Sequence, residues 1–539
     1  MKYNKLFVLA FASLALLTSC EDAYDIKQPG EQNDPNKVYN TLEDFQSGLN
    51  GVYERFSPEK TIEFTSIFTD ETAIGVTNGG QGVSDGLYQF RLTAGTDAAI
   101  SIWHSNYTLI NFTNRIISVK DRIKANIEAD YEGVTEQSDP VAFAEKEALI
   151  DSYEDALAQL YAIRAYSHFQ LISWFSTDPS NPDALGAMLF DFVPDYEYQT
   201  FLPRVPNRDI YALIDSDLAT ATTLFTAGNV VTSDNTKVSP NFIKSLRARM
   251  ALYRKDYATA AQLSHELIGN YSSTLVATPA AYYDLWADNT ATEFLFKLVR
   301  VNGDFGIGSY WASQASNING SPFFEVSRGL YNSYTVNTDI RNTFFTPSGG
   351  SRTGTLVDAT SVLSPNPDSE PDYANGDILV VNKYPGNEEQ GDNLLNDIKV
   401  FTYGEMFLIR AEALANLGAI NGLSNSNTSK VYAQDVMRAL RRRRYASASY
   451  AQPAYTDLKD ALTDIQLERR RELAFQGHRY LDIKRLGPVT GQGVSRYSRD
   501  CQQYSACTLE PTSYKFTLPI PSTEMTANAN IRSQQNPGY

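Results

Sequence analysis

The sequence predicts a mainly helical fold: a tetratricopeptide-like scaffold of helix pairs, interrupted by a loop-rich region. Three observations carry this. Apolar residues recur at helical spacing over about 41–270 and again over 401–539. Short helices come in pairs joined by tight turns, as in tetratricopeptide units, although no strict 34-residue register repeats. Between the two helical blocks, residues 271–400 are rich in Gly, Asn, Ser, Thr, Pro and aromatics, with weak periodicity. So long an aperiodic stretch inside a compact domain reads as a functional surface of loops and short strands rather than a linker.

The elements follow in order. Thr41 to Phe56 places Leu42, Phe45, Leu49, Val52, Tyr53 and Phe56 on one stripe, with Thr41 as N-cap. Ile100 to Ile123 is a second helix, carrying Trp103, Tyr107, Ile110 and Asn114. Glu145 to Phe175 is long and amphipathic, and Asn207 to Phe225 follows Val205-Pro206. Ser239-Pro240 is an N-cap and first-turn combination that opens a stripe of Phe242, Leu246, Met250 and Tyr253. Arg254-Lys255-Asp256 then turns the chain into Tyr257 to Ile268, stopped at Gly269. The design recurs as Glu405 to Leu417, stopped at Gly418, with Val431 to Tyr445. Asp457 to Gln476 is a further helix before Gly477, and Phe516 to Ile520 reads as a short strand.

The N-terminus reads as an address. Two lysines precede an apolar run from Leu6 to Leu17, and then comes Leu17-Thr18-Ser19-Cys20. The run is shorter than the roughly 20 residues a membrane-spanning helix needs, and fits a secretory leader. A small pair followed by Cys predicts a bacterial lipoprotein signal over 1–19, with Cys20 lipidated as the mature N-terminus and anchored by acyl chains. Residues 20–40 are polar, with Pro29 and Pro35, and read as a flexible tether to one domain over 41–539.

Composition excludes several functions. Net charge is −17, and loss of Lys2 and Lys5 with the leader takes it to −19. Such a chain is a poor partner for nucleic-acid phosphates. Three Cys and four scattered His, with no HExxH, do not support a zinc site, and no metal-ligand motif is identified. No glycine-rich nucleotide loop is present, so no cofactor is expected. Cys501 and Cys507 are spaced for a small-loop disulfide in an oxidising compartment.

The C-terminal third carries the most specific pattern: FLIRAEALANLG, then IQLERRRELAFQGHRYLDIKRLG, then LPIPSTEMTANANIRSQQNPGY. With the Cys20 signal, TLEDFQSGLNGVYERF, YAIRAYSHFQLISWF and SLRARMALYRKDYATAAQLSHELI, the chain resembles the SusD/RagB family over nearly its whole length. These are surface-exposed outer-membrane lipoproteins of Bacteroidetes that work in glycan and nutrient uptake. The family's helical motif falls on Glu468, Arg469, Glu472, Leu473, Gly477, Arg479, Asp482 and Arg485, with Gln476 where a second Glu is usual. The resemblance implies four tetratricopeptide-like helix pairs and a non-enzymatic protein. It also implies a role as lid on a TonB-dependent outer-membrane transporter, handing it an oligosaccharide ligand. A peptide-capturing relative, a glycoside hydrolase and a structural adaptor are the competing functions; the hydrolase would require two carboxylates about 5–10 Å apart.

Charged helix spacing around Glu468, Glu472, Arg479 and Asp482 predicts structural ion pairs rather than acid/base catalysis. The Arg441 to Arg444 run reads as a solvated face or a set of intramolecular partners. For a sugar, flat aromatic faces beside amide or carboxylate groups are wanted. Two aperiodic segments supply both, and the candidates are Trp286, Tyr310, Trp311, Phe324 and Tyr283 in one, and Asp70, Asn78 and Tyr88 in the other. Trp286 and Trp311 lead, because Trp103 and Trp174 lie on amphipathic helices. Gly306 and Gly308 beside Trp311 would let a ligand approach closely.

Overall fold

The computed structural model describes residues 38–76, 80, 82–83, 85–194, 201–227, 234–269, 275–312, 322–334, 339–341, 361–386, 394–422 and 431–539. Helices of eight residues or more are numbered here. The first five are α1 (Leu42–Arg55), α2 (Glu59–Phe68), α3 (Asp97–Ile117), α4 (Lys120–Asp130) and α5 (Pro140–Phe175). Next come α6 (Asn207–Ala227), α7 (Pro240–Tyr253), α8 (Tyr257–Ile268) and α9 (Pro279–Trp286). The C-terminal block holds α10 (Tyr403–Asn416), α11 (Ala433–Arg444), α12 (Leu458–Glu472) and α13 (Arg479–Thr490). Among the described residues no helix is long and apolar enough to cross a membrane.

Local chemistry accounts for the helix boundaries. The Thr41 side chain accepts from the Asp44 amide, and Asp44 returns the bond to the Thr41 amide, a full capping box on α1. Ser239 caps α7 with Pro240 in its first turn, and Asp256 caps α8. The stretch expected as one helix over Ile100–Ile123 is two. Helix α3 stops at Ile117, where the Ser118 hydroxyl donates to the Arg115 carbonyl at 2.7 Å, and Val119 leaves the helical angles before α4 begins. Helix α5 starts earlier than Glu145, at Pro140, because Asp139 accepts from the amides of Val141 and Ala142.

Helices pack on one another in series: α5 on α6, α7 on α8, α8 on α10, α10 on α11, and α12 on α13. Buried Arg–carboxylate pairs bolt these contacts. Arg164 on α5 grips Asp217 on α6 at 2.8 and 2.6 Å and reaches Asn114 on α3 at 2.7 Å. Arg249 on α7 holds Glu405 on α10 through two bonds of 2.6 Å, and Arg485 on α13 pairs with Glu412 on α10. One hydrophobic core runs through the scaffold, from Phe45 to Ile531.

Short antiparallel strand pairs join the loop-rich part to the helical blocks and, in one case, close a hairpin within the C-terminal block. Strand β1 (Thr72–Ile74) pairs with β3 (Phe324–Val326), β2 (Phe294–Leu298) with β4 (Ile398–Thr402), and β5 (Val494–Ser495) with β6 (Thr508–Leu509). Phe294 faces Thr402 and Leu298 faces Ile398, with register irregularities between. Thus β2 delivers the chain from the core to the 299–310 loop. The strand expected at Phe516 to Ile520 does not form. Residues 514–516 are a single tight turn, the Leu518 amide donates to the Trp174 carbonyl, and Ile520 donates to the Gln535 side chain. The segment is apolar because it is buried between helix and loop.

Candidate functional site

A cleft of about 870 Å³ opens where α1, α5 and the 299–310 loop meet. Two helical faces build its walls. From α1 come Gln46, Asn50, Tyr53 and Glu54, the stripe beside the one that buries Phe45, Leu49 and Val52. From α5 come Ser152, Asp155, Ala156 and Gln159, at i, i+3, i+4 and i+7. Leu298, Val299, Arg300, Val301, Asp304 and Phe305 close the third side. The volume lies within the range of ordinary ligand clefts.

The polar wall is set in a hydrogen-bonded order. Gln46 Nε2 donates to Ser152 Oγ at 2.7 Å, joining α1 to α5. Tyr53 donates its hydroxyl to Gln159 Oε1 at 2.5 Å and accepts from the Val238 amide at 2.7 Å. Gln159 Nε2 in turn donates to Asp155 Oδ2 at 2.6 Å. Burial raises the Asp155 carboxyl above its ordinary value, with the Gln159 bond opposing. Arg300 is spent on the frame, since its Nε and Nη2 both reach Glu59 Oε1 at 2.8 and 2.6 Å, and Nη2 also caps the Phe56 carbonyl.

The apolar rim is exposed: Val299, Val301 and Phe305 stand 46%, 55% and 51% open to solvent. The Phe305 ring lies 4.7 Å from that of Tyr310, tilted by 46°. Lys60 stands 5.7 Å from the Tyr310 ring and is clasped by Glu63 at 2.5 Å and Asp97 at 2.7 Å. Burial alone would lower the Lys60 ammonium, but its bonds to Asp97 and Glu63 outweigh it and hold it above its ordinary value. An aromatic pair beside a hydrogen-bonding wall can cover the flat face of a sugar ring while the wall meets its hydroxyls.

Of the residues anticipated from sequence, Tyr310 comes nearest: it is half-buried behind Phe305 and does not itself line the cleft. Tyr283 is exposed on α9 and does not line the cleft. Trp311 is a correction, being 1% exposed. Its Nε1 donates to Ser66 Oγ at 3.0 Å, and its ring stacks on Tyr384 at 5.8 Å. Trp286 is equally buried, beneath the Lys383 ammonium at 4.3 Å and against Tyr384 and Phe294. Tyr88 is buried under Arg496, whose guanidinium lies 3.7 Å from the ring, and Phe324 is buried in β3 opposite Ile74. These aromatics are scaffold because the main hydrophobic core runs on from the helices into the loop-rich part and is filled by them there. Gly306 and Gly308 serve packing too: a Cβ at either would meet Leu394 at 2.9 Å, in a small cluster with Ala312 and Val380.

Asp70 is a second correction. It is a buried anchor, bonded by Arg479 at 2.8 and 3.0 Å with Arg470 at 3.5 Å. Burial would raise its carboxyl, yet the two guanidinium groups outweigh it and hold the carboxyl down at about 2. Asn78 and Cys20 lie outside the described residues. Cys501 and Cys507 are joined by a disulfide, Cα to Cα 5.0 Å, beside the β5–β6 pair. Among the described residues no three His, Cys, Asp or Glu side chains converge as a metal site.

Sequence reasoning missed Phe305 and the α1–α5 wall. The one available signal was an aromatic between Asp304 and Gly306 in a loop where the neighbouring apolar residues, Val299 and Val301, had no helical period to serve.

Comparison with known proteins adds the lineage. Residues 353–539 match the SusD_RagB model, described as the SusD family. SusD-like protein P2 of Formosa agariphila is 23% identical over 570 residues, covering 100% of both chains. A SusD superfamily protein of Bacteroides thetaiotaomicron superposes with a TM-score of 0.67 at 20% identity, over 92% of this chain and 100% of that one. A laminarin-binding SusD-like protein gives 0.63 at 18% identity, over 93% and 100%. The C-terminal third thus matches the SusD family, and the chain as a whole has the fold of SusD superfamily proteins.

Proposed function

We propose that the protein is a non-catalytic surface binding protein. It captures oligosaccharides in the α1–α5 cleft and delivers them to a TonB-dependent outer-membrane transporter. The observation that carries the reading is the exposed Phe305 ring, backed by the half-buried Tyr310, at the mouth of a cleft walled by amides, hydroxyls and carboxylates. A wall of Gln46, Asn50, Ser152, Asp155 and Thr236 suits a hydroxyl-rich ligand better than the apolar groove that a peptide would favour. The SusD-family match of residues 353–539 and a laminarin-binding protein of the same fold support the ligand class. Anchoring through Cys20 at the outer membrane and the transporter partnership rest on the leader pattern and the family.

Native gel electrophoresis through soluble polysaccharides tests the reading. At least one glycan should retard the protein, and incubation should release no reducing ends. Release of reducing ends by the pure protein would overturn it in favour of a hydrolase.

A further inference from the structure

We infer that the cleft selects uncharged glycans and rejects those bearing carboxylate or sulfate groups. This rests on the reading of the cleft as the glycan site and adds the ligand's charge class. Four carboxylates line the cleft, Glu54, Glu59, Asp155 and Asp304, against two cations, Lys237 and Arg300.

The two cations are not equivalent. Arg300 is 8% exposed, and its guanidinium is committed to Glu59 and to the Phe56 and Val299 carbonyls. Recognition of a sulfate or carboxylate normally uses such a fork, with two parallel N–H donors turned to the ligand. Here the fork faces the protein. The rim cation, Lys60, is likewise clasped by Glu63 and Asp97. Lys237 is exposed and acts on two carboxylates, opposing the burial that raises Asp155 and adding to the Thr236 bonds that lower Asp234.

An anionic sugar entering the cleft would therefore meet more like charge than opposite charge. It would do so on a chain whose net charge is −17. A neutral sugar loses nothing by this field. Its hydroxyls can donate to Glu54, Asp155 and Asp304, and each such bond to an ionised acceptor is stronger than one to a neutral acceptor.

The experiment compares laminarin, starch and mannan with alginate, polygalacturonate and carrageenan by affinity electrophoresis. Titration then uses the best neutral ligand and its partly carboxymethylated form. At least one neutral glycan should bind and none of the acidic ones. Carboxymethylation should weaken binding about tenfold, less so at about 0.5 M salt than at about 0.05 M. Glu54→Lys, at a side chain 77% exposed and outside the core, should narrow that gap about threefold while the fold is kept. Equal or tighter binding of an acidic glycan would overturn the charge inference and leave glycan capture standing. Binding to no polysaccharide of either kind would overturn both. An unchanged gap in folded Glu54→Lys would also count against the inference.

Discussion

Glu71 shows how a single buried group sets a pH dependence. It sits beside Asp70, accepts from the Phe475 amide at 3.2 Å and is fully buried. Burial, chiefly, pushes its carboxyl up to about 8, and the neighbouring Asp70 charge adds to the rise. A raised carboxyl binds its proton in the folded state at a pH where the unfolded chain has lost it. Its contribution to stability is therefore complete below the ordinary value of 4.5 and is lost as pH rises through about 8. Glu71→Gln should flatten the fall in melting temperature between these limits and raise it at the alkaline end, on the order of a few degrees. Melting curves of both proteins across that range check this, and parallel curves would refute it. At this scale the sequence was a poor guide. Trp311 and Asp70 have the right chemistry for a ligand site, yet burial decides their roles, and burial depends on chain segments far away, such as Tyr384 and Arg479.

The element that organises the C-terminal block is α12. Glu468 receives Arg341 at 2.6 Å, Arg441 at 2.8 Å and Arg471 at 2.5 Å; Glu472 receives Arg341 and Arg444. Arg444 also holds Glu293, ahead of β2, at 2.6 Å. Burial would raise the Glu468 carboxyl, but the three guanidinium groups outweigh it and hold it well down. The charged spacing in ERRREL thus does forecast ion pairing, though mostly to other elements rather than along the helix. Asp482, expected to answer Arg479, instead meets Arg469 at 2.8 Å. Of the arginine run, Arg441 and Arg444 are intramolecular partners. Removing one partner strands a buried charge, so Glu472→Ala should cost about 3–5 kcal/mol, read by denaturant unfolding. A cost below about 1 kcal/mol would mean the network contributes little.

Helices with clear period were legible as elements, and the missed ones show why others were not. The α2 segment mixes β-branched Thr and Ile with Phe, which blurs helix and strand preferences. The α9 helix did carry a signal, Thr278 before Pro279, the same cap that reveals α7. FLFKL of β2 is a continuous apolar run, in which periodicity cannot separate strand from buried helix.

At the scale of the molecule, a helical scaffold holds a loop-rich part, and the cleft proposed for the ligand lies on their seam. Only the 299–310 side of that cleft belongs to the region that the sequence marked as functional. The α1 and α5 walls looked like ordinary amphipathic faces, because a polar helix face reads the same whether it meets solvent or ligand. The tether would carry this whole body at a membrane surface. Cys20→Ala should move the protein from the membrane fraction to the soluble fraction, seen by fractionation and immunoblotting. Unchanged fractionation would contradict lipid anchoring.

The central claim, that the Phe305–Tyr310 rim and its cleft hold the glycan, is tested most directly by titration calorimetry of Phe305→Ala beside wild type. The ligand is whichever soluble glycan retards the wild-type protein. Loss of an aromatic platform worth about 1–3 kcal/mol should raise Kd roughly tenfold or more. The melting temperature should stay within about a degree, since the ring is half exposed. Trp311→Ala, by contrast, should lose about 3–5 kcal/mol of stability as a core truncation. Affinity equal to wild type in folded Phe305→Ala would contradict the account and place the ligand elsewhere.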